Sequence, residues 1–281
     1  MSRNIQDSNL DTQTVRGFGD EWSRFTQREL SEIARKQIFD DYFSLFDWDA
    51  LPQGALGADI GCGSGRWAMQ VAPKIGHLIL IDASIDAIEV AKSNLNNCTN
   101  VSFINASVGS LPIDDNSLDF AYSLGVLHHV PETEEALKSV AAKMKKDAPF
   151  LVYLYYAFDN RGPVYRILWK SSDLIRRIVS KLPHPMRYIV SQIIAALVYW
   201  PLARMARLLD FFGALPSSWP LEYYHDKPFY VMRTDALDRF GTSLEQRFTR
   251  NQIETMLLNA GFKNIRFSDR APYWCATCVK D

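Results

Sequence analysis

Three glycines at alternate positions, Gly61, Gly63 and Gly65, follow a short apolar run that ends at Ile60. A helix-compatible segment begins immediately afterwards, at Arg66. This order predicts a strand, a tight turn and a helix start, in which the turn takes positive φ angles and lets a ligand approach the backbone without meeting a Cβ. Glycine-rich turns also serve structural purposes, so the turn alone does not establish a ligand site.

An acid follows the next apolar run of the chain. The run 77–81 is followed directly by Asp82. In a doubly wound sheet, an acid at the tip of the second strand faces the ribose hydroxyls of a nucleotide lying across the first turn. The two features together therefore indicate a nucleoside-containing cofactor.

The combination resembles the class I S-adenosylmethionine-dependent methyltransferase family. The turn at 59–65 reads Asp-Ile-Gly-Cys-Gly-Ser-Gly rather than the G-x-G-x-x-G of NAD dehydrogenases, and a sulfonium nucleoside has no pyrophosphate for a helix N-terminus to hold. The similarity continues through 111–119 and 122–129 and covers about 55–158 and 246–281. It implies S-adenosyl-L-methionine as cofactor and a Rossmann-like, doubly wound α/β fold with a mostly parallel seven-stranded sheet.

Strands that alternate with helices independently predict a parallel α/β sheet. We predict strands near 56–60, 77–81, 100–104, 118–123 and 149–156, helices near 66–72, 84–95 and 132–146, and a capped helix from 249 to 260 followed by strands near 263–268 and 273–279. The predicted regions are an N-terminal tail and helical cap (1–48), a cofactor-binding core (49–158), a helical lid or substrate insertion after strand 5 (159–245), and a C-terminal helix with a closing hairpin (246–281).

The N-terminal region is predicted to be a polar tail over 1–14, then a helix. Phe18, Trp22 and Phe25 have the i, i+4, i+7 spacing of one helical face. That face either packs on the core or caps the cofactor pocket, as N-terminal helices of similar methyltransferases do. A second helix is predicted over 29–48, with the apolar face Ile33, Ile38, Phe39, Tyr42, Phe43 and Phe46.

Composition narrows the class of protein. The 281 residues, 47% hydrophobic and 22% charged, fit one large globular domain or a domain with an insertion. The net charge of −1 argues against a nucleic-acid partner held by a global basic field. The polar start of the chain lacks the apolar stretch of a signal peptide, so we expect a cytoplasmic location.

The four cysteines do not suggest a disulfide framework. Cys275 and Cys278 have redox-motif spacing, but they lie three apart in a strand-like run, where their side chains point to opposite faces. One such pair also supplies only half of a four-ligand zinc site. We predict structural cysteines and no metal.

The resemblance implies a set of cofactor contacts. The glycines allow backbone approach, Asp59 anchors the turn or the cofactor's amino group, and Asp82 accepts from both ribose hydroxyls. Ser107 stands where many relatives have an acid for the adenine amino group, with Val108 sharing that contact. The full predicted set is Trp22, Phe25, Asp59, Gly61, Cys62, Gly63, Gly65, Asp82, Ala83, Ser107, Val108 and Ser123.

On the acceptor side, the end of the fourth strand is expected to lie beside the transferred methyl group. His128, His129 and Tyr155 are the candidate catalytic residues. Either histidine instead has a capping or packing role, and His128 is favoured over His129 if one of them is a base. Substrate contacts are predicted for Tyr156, Tyr223, Tyr224 and His225.

The insertion carries nine basic residues and two acids between 161 and 210. Its longest apolar stretch, 189–203, is shorter than the roughly 20 residues that span a bilayer, and prolines at 183, 185 and 201 predict separate helices. We expect a lid with a solvated basic face. The alternatives are a stripe of Arg176, Arg177, Lys181 and Arg187 that contacts an anionic membrane, and a homodimer interface.

Three functions remain open from the sequence. The first is methyl transfer to an O or N atom of a small molecule. The second is methylation of a lipid-linked or polymeric glycan acceptor that docks through the basic insertion. The third is cofactor binding without catalysis, in a protein that serves as a scaffold.

Overall fold

The structure is a computed structural model that describes residues 9–216 and 219–281. Within these ranges the chain forms two compact units. The first unit contains residues 9–28, 35–157 and 244–281, and the second contains 29–34 and 158–243.

The first unit is built on a seven-stranded sheet with the order β3-β2-β1-β4-β5-β7-β6. Its strands are β1 (Leu56–Ile60), β2 (His77–Asp82), β3 (Val101–Asn105), β4 (Phe120–Leu124), β5 (Pro149–Tyr153), β6 (Phe262–Phe267) and β7 (Cys275–Lys280). β1 to β5 pair in parallel, whereas β7 runs antiparallel to both β5 and β6. The predicted Rossmann-like α/β fold is confirmed.

The strand order places the candidate site. Outward from β1, the sheet continues with β2 and β3 on one side and with β4 and β5 on the other, so the strand order reverses between β1 and β4. Ligands of open α/β sheets bind at the carboxyl ends of the strands beside such a reversal. The turns after β1, β2 and β4 meet at that edge.

Helices complete the first unit and make up the second. They are α1 (Thr12–Arg24), α2 (Glu32–Tyr42), α3 (Ala68–Val71), α4 (Ile85–Asn94), α5 (Thr133–Lys143), α6 (Pro163–Val179), α7 (His184–Ile194), α8 (Trp200–Phe211), α9 (Phe229–Gly241) and α10 (Arg250–Asn259). The α10 prediction is confirmed in detail, because Thr249 and Gln252 form a capping box and Gly261 follows with a φ of +84°.

Two N-terminal predictions are wrong at their boundaries. Residues 1–8 of the predicted tail lie outside the described residues. The tail is shorter than predicted, because α1 begins at Thr12, where the Asp11 carboxylate caps the helix by accepting from the Thr14 amide at 2.7 Å. The predicted helix 29–48 ends at Tyr42, and Ile33 is 82% exposed rather than part of an apolar face. Aromatic rings after the helix end still pack together, so their spacing imitated a longer helix.

The second unit has its own apolar core of small and aromatic residues from α7 to α9. The predicted break at Pro183 is confirmed, because α6 ends at Val179 and α7 begins at His184, but Pro201 does not separate two helices. A π-helical segment, Ala195–Tyr199, joins α7 to α8, and Pro201 falls at the start of α8, where a missing amide donor is tolerated. The resulting helix His184–Phe211 is, within the described ranges, long and apolar enough to cross a membrane, contrary to the shorter stretch expected from the sequence.

Candidate functional site

The turn after β1 is shaped by its glycines. Gly61, Gly63 and Gly65 have φ angles of +80°, +52° and +74°, which side chains with a Cβ rarely adopt. The amides of Gly61 and Cys62 both donate to the Ile81 carbonyl, at 2.8 and 2.9 Å. The turn is thereby fastened to the end of β2.

Protein side chains fill the space that the missing Cβ atoms leave. A Cβ on Gly61 would lie 2.3 Å from Val126, and one on Gly63 would lie 2.8 Å from the Trp22 ring. The glycines are therefore required for internal packing, and this role adds to the ligand approach inferred from the sequence. Trp22, from the predicted cap helix, lies against the turn, while Phe25 is buried in the core.

Asp82 connects the second strand tip to the glycine turn. Its carboxylate accepts from the Gly63 amide at 2.9 Å and from the Ser84 amide at 2.8 Å. The predicted cofactor residue Ala83 lies between Asp82 and Ser84 in the chain. Burial raises the pKa of Asp82, and these two amides oppose that shift. A carboxylate has about four lone-pair sites, so capacity remains for the predicted ribose hydroxyls.

Asp59 is the most unusual group of the site. Its side chain is buried, and one oxygen accepts from the Tyr122 hydroxyl at 3.0 Å. The other oxygen, Oδ1, is buried and has no hydrogen-bond partner among the described residues. Desolvation raises the pKa of Asp59 to about 8, although the hydrogen bond from Tyr122 lowers it.

This geometry fits the cofactor that the sequence suggested. An unpaired buried carboxylate oxygen beside positive-φ glycine backbone is suited to an ammonium group such as that of S-adenosylmethionine. The buried hydroxyl of Ser64, in the same turn, also has no partner among the described residues, and the sequence reasoning missed it. Cys62 is buried as well, with its thiol near the Gly63 carbonyl.

The remaining predicted cofactor residues have structural contacts. Ser123 is buried and its hydroxyl donates to the Ile60 carbonyl at 2.8 Å, which links β4 to β1. Ser107 precedes a 3₁₀ turn that starts at Val108, whose carbonyl accepts from Ser139. Their roles toward a cofactor stay predictions.

A compact aromatic cluster follows β4. The His128 ring is fully buried and stacks on Tyr155 with a centroid distance of 3.8 Å. His129 lies 3.9 Å from His128 and its Nδ1 is 2.7 Å from the Leu244 carbonyl oxygen. Neither ring nitrogen of His128 has a partner within the described ranges, and burial, then His129 and Arg247, lower its pKa well below the usual value.

Arg247 and Glu245 complete this cluster and were missed by the sequence reasoning. The Arg247 guanidinium lies 4.9 Å from the Tyr155 ring centroid, donates to Glu245 at 2.8 Å and contacts the Tyr156 carbonyl at 3.3 Å. Desolvation lowers the pKa of Arg247, but Glu245 and the neighbouring tyrosines outweigh it and raise the pKa overall. No local pattern marks these residues, because the fold alone brings them to Tyr155.

The predicted substrate residues fall into two groups. Tyr156, in the first unit, packs near Tyr273 rather than on the histidines. In the second unit, Tyr224 donates to Asp235 at 2.8 Å, His225 contacts the Glu222 carbonyl, and the Tyr223 ring lies under the Lys227 ammonium. Their contact with substrate stays a prediction.

The cysteines are buried on β7 with different neighbours. The Cys275 thiol lies 3.2 Å from the Tyr42 carbonyl oxygen, and Cys278 lies 3.8 Å from that of Phe150. Burial raises the pKa of Cys275 to about 12, so both geometry and protonation favour structural thiols. In the part of the chain that the structure describes, no group of three or more His, Cys, Asp or Glu could hold a metal ion.

Comparison with known proteins agrees with this geometry. Residues 58–147 match the family described as methyltransferase domain. The chain is 34% identical over 104 residues to the uncharacterized methyltransferase YcgJ of Bacillus subtilis, covering 36% of this chain and 41% of that protein. It is 33% identical over 107 residues to the tRNA (carboxymethyluridine(34)-5-O)-methyltransferase of Saccharomyces cerevisiae, covering 37% of each. The chain thus spans about two fifths of the length of the curated relatives that it matches.

A solved structure supports the fold over a longer range. A chain of the Haloferax volcanii complex that contains the Trm112 methyltransferase activator superposes with a TM-score of 0.51 at 13% identity, covering 93% of this chain and 96% of that one. At this identity the likeness concerns the fold alone. The segment 58–147, which contains the glycine turn and the two strand-tip acids, is thus similar to the methyltransferase domain family, and the α/β fold is shared with the solved structure.

Proposed function

We propose that this chain is a cytoplasmic enzyme that transfers the methyl group of S-adenosylmethionine to an oxygen or nitrogen atom of a small-molecule acceptor. The observation that carries the proposal is the buried, unpaired Oδ1 of Asp59 beside the glycine turn, with Asp82 on the neighbouring strand. The bound cofactor supplies a methyl group activated by its sulfonium. The protein supplies orientation, desolvation and a base.

The cofactor-holding residues follow from this arrangement. Asp59 receives the ammonium group, and Asp82 keeps its two backbone donors while accepting from ribose hydroxyls. The Trp22 ring against Gly63 adds an aromatic face, which suits a sulfonium cation. These groups belong to α1, β1 and β2 of the first unit.

His128 is the base in this proposal. Its lowered pKa leaves the imidazole neutral at physiological pH, so a ring nitrogen has a lone pair for the acceptor's proton. Tyr155 covers the ring in the structure. The acceptor therefore reaches His128 after the Tyr155 side chain turns away, with Arg247 available to orient it.

A lipid-linked acceptor is the second candidate. It is favoured by the large apolar side chains that α6 to α8 expose. Both candidates use the same cofactor site and base, and they differ in the solubility of the acceptor.

The test has two arms on the full chain. Calorimetry should show binding of S-adenosylmethionine to the wild type and at least about tenfold weaker binding to Asp59→Ala, because the ammonium loses its charged acceptor. Mass spectrometry of cell extracts and of extracted lipids should show cofactor-dependent products heavier by one methylene. Methyl transfer in His128→Ala should be about 10²–10⁴-fold slower, with cofactor affinity unchanged.

His77→Ala is the matched control, since His77 lies at the start of β2 and bonds to Ser102; it should retain activity. Cofactor binding without any methylated product from either fraction would replace the proposal with the scaffold alternative. Unchanged affinity in Asp59→Ala would contradict the cofactor assignment itself.

A further inference from the structure

The second unit exposes large apolar side chains in rows on three consecutive helices. On α6 they are Ile167, Leu168, Leu174, Ile175 and Ile178, and from α7 to the end of α8 they are Met186, Ile189, Ile193, Leu197, Val198, Trp200, Met205, Leu208, Phe211 and Phe212. Leu197 is 72% and Phe211 is 82% exposed. Single exposed apolar residues are ordinary, but contiguous rows at helical spacing mark an interaction surface. We call these residues the apolar rows.

The apolar rows are not a consequence of loose packing. The opposite faces of the same helices are well packed, since Ala195, Tyr199 and Ala203 are buried in the core with Met232 and Phe240. On α6, the Arg176 guanidinium is buried, bonded to Asp173 and to the Thr242 carbonyl. Each helix is thus amphipathic, with a packed inner face and an apolar outer one.

Basic side chains border the apolar row of α6. Arg166, Lys170 and Arg177 are exposed at i, i+4 and i+11 beside the apolar row of α6, and Lys181 is exposed just after the end of the helix. The acid of α6, Asp173, is buried between arginines, and the other acid of this region, Asp210, lies 3.7 Å from His225. The outer surface is therefore apolar with a positive border, as anionic headgroups over acyl chains require.

The inner face of the helix His184–Phe211 argues against a spanning arrangement. Arg187 donates to the Gly241 carbonyl, and Gln192 accepts from the Arg233 guanidinium. Insertion across a bilayer would place these charged groups at hydrocarbon depth, which is costly. An orientation in the membrane plane buries the apolar rows and leaves the polar face on the protein side.

We propose that α6, α7 and α8 dock this chain in the interface of an anionic membrane, with the apolar rows at the acyl boundary and these basic side chains at the lipid phosphates. This inference does not depend on methyl transfer. It replaces the solvated lid expected from the sequence. It also corrects the predicted basic stripe, because Arg176 and Arg187 are buried and structural whereas Arg177 and Lys181 are exposed.

The experiment is cosedimentation of the full chain with vesicles of phosphatidylcholine alone or with added phosphatidylglycerol. We expect binding to the anionic vesicles, severalfold weaker binding in high salt, and less to the neutral ones. Ile193→Glu with Leu197→Glu should lower partitioning about tenfold or more, because two exposed apolar contacts are replaced by charges. Leu258→Glu, at an exposed leucine of α10, is the control and should bind like the wild type.

The fluorescence of Trp200, which is exposed on the apolar rows, measures how deeply these rows enter the bilayer. Shallow bromolipids should quench the wild type more than deep ones, and Trp200→Phe should lose that difference. Lys170→Gln with Lys181→Gln should weaken the preference for anionic vesicles, while Lys36→Gln with Lys92→Gln should not. Absence of sedimentation, sedimentation that Leu197→Glu leaves unchanged, or a dimer in sedimentation velocity that Leu197→Glu dissociates would each overturn the proposal.

Discussion

The candidate site of the first unit and the helix core of the second differ in how their buried titratable side chains are hydrogen-bonded. In the first unit, Asp59 keeps an unpaired oxygen at the end of β1 and His128 keeps both ring nitrogens unpaired, as far as the described residues show. In the second unit, the buried guanidinium groups of Arg176 and Arg187 bond to a carboxylate and to backbone carbonyls. Since burying a polar group without a partner is costly, unmet capacity in the first unit indicates chemistry.

The second unit is distinguished by its surface rather than by its buried groups. Its buried Arg176 and Arg187 side chains are hydrogen-bonded, and its helices α6 to α8 expose the apolar rows. Exposed apolar area indicates docking rather than catalysis. We therefore assign the chemistry to the first unit and membrane attachment to the second, and the following variants test that assignment.

Asp82→Ala should have the largest effect. The change removes the ribose acceptors and leaves the Gly63 and Ser84 amides without their carboxylate. Cofactor affinity should fall by about 2–4 kcal/mol in binding free energy, roughly 30- to 1000-fold. Calorimetry measures it, with Asp86→Ala, an exposed acid in the first turn of α4, as control. Equal cofactor affinity in Asp82→Ala and Asp86→Ala would show that Asp82, at the end of β2, does not bind the cofactor.

The first unit was largely predictable because its signals are local. The glycine turn, the alternation of apolar strands and helices, and the Thr249–Gln252 capping box each lie within a few consecutive residues. The Trp22 ring lies against Gly63, and its predicted contact with the cofactor stays a prediction. Arg247 and Glu245 escaped because their contact with Tyr155 is made only by the tertiary fold.

The second unit was less predictable for a physical reason. An arginine in an amphipathic pattern looks the same in sequence whether its guanidinium meets solvent, as for Arg177, or backbone carbonyls, as for Arg187. Pro201 is typical of a helix boundary, but the helix continues through it, because the hydrogen bonding changes from π-helical to α-helical just before this residue. Burial of one helix face could not be assigned without the partner helix α9.

Asp59→Asn should change the pH dependence of stability. The folded pKa of about 8 lies above the usual 3.8, so between these values the folded protein holds a proton that the unfolded chain lacks. Stability of the free protein should therefore fall as pH rises through this window, by up to about 1.4 kcal/mol per pH unit, and level off above it. Urea unfolding from pH 5 to 9 should show a shallower slope in Asp59→Asn, whereas exposed Asp86→Asn keeps the wild-type slope. Parallel slopes in all three proteins would mean that Asp59 is ionised and paired.

Arg187→Ala tests whether the buried charges of the second unit are structural. The substitution leaves the Leu182 and Gly241 carbonyls without their guanidinium donor, which should cost about 2 kcal/mol. Hydrogen exchange should show lost protection in α7 and α9, with cofactor affinity unchanged. Arg207→Ala, at an exposed position of α8, should change stability by less than about 0.5 kcal/mol. Lower cofactor affinity in Arg187→Ala would break the separation of the two units.

Thr249→Ala should have the smallest effect on stability, and that effect should be limited to the first unit. The Thr249 hydroxyl accepts from the Gln252 amide at 3.3 Å, and the Gln252 side chain accepts from the Thr249 amide at 2.9 Å. Loss of the N-cap should destabilise the chain by about 1 kcal/mol. Thr255→Ala is the matched control on the same helix, because its exposed hydroxyl only donates to the Asn251 carbonyl and alanine has the higher helix propensity. Denaturant midpoints should therefore fall for Thr249→Ala and stay or rise for Thr255→Ala, while vesicle binding through the apolar rows remains that of the wild type in both. A vesicle-binding defect in Thr249→Ala would show that docking depends on the α/β core as well as on α6 to α8.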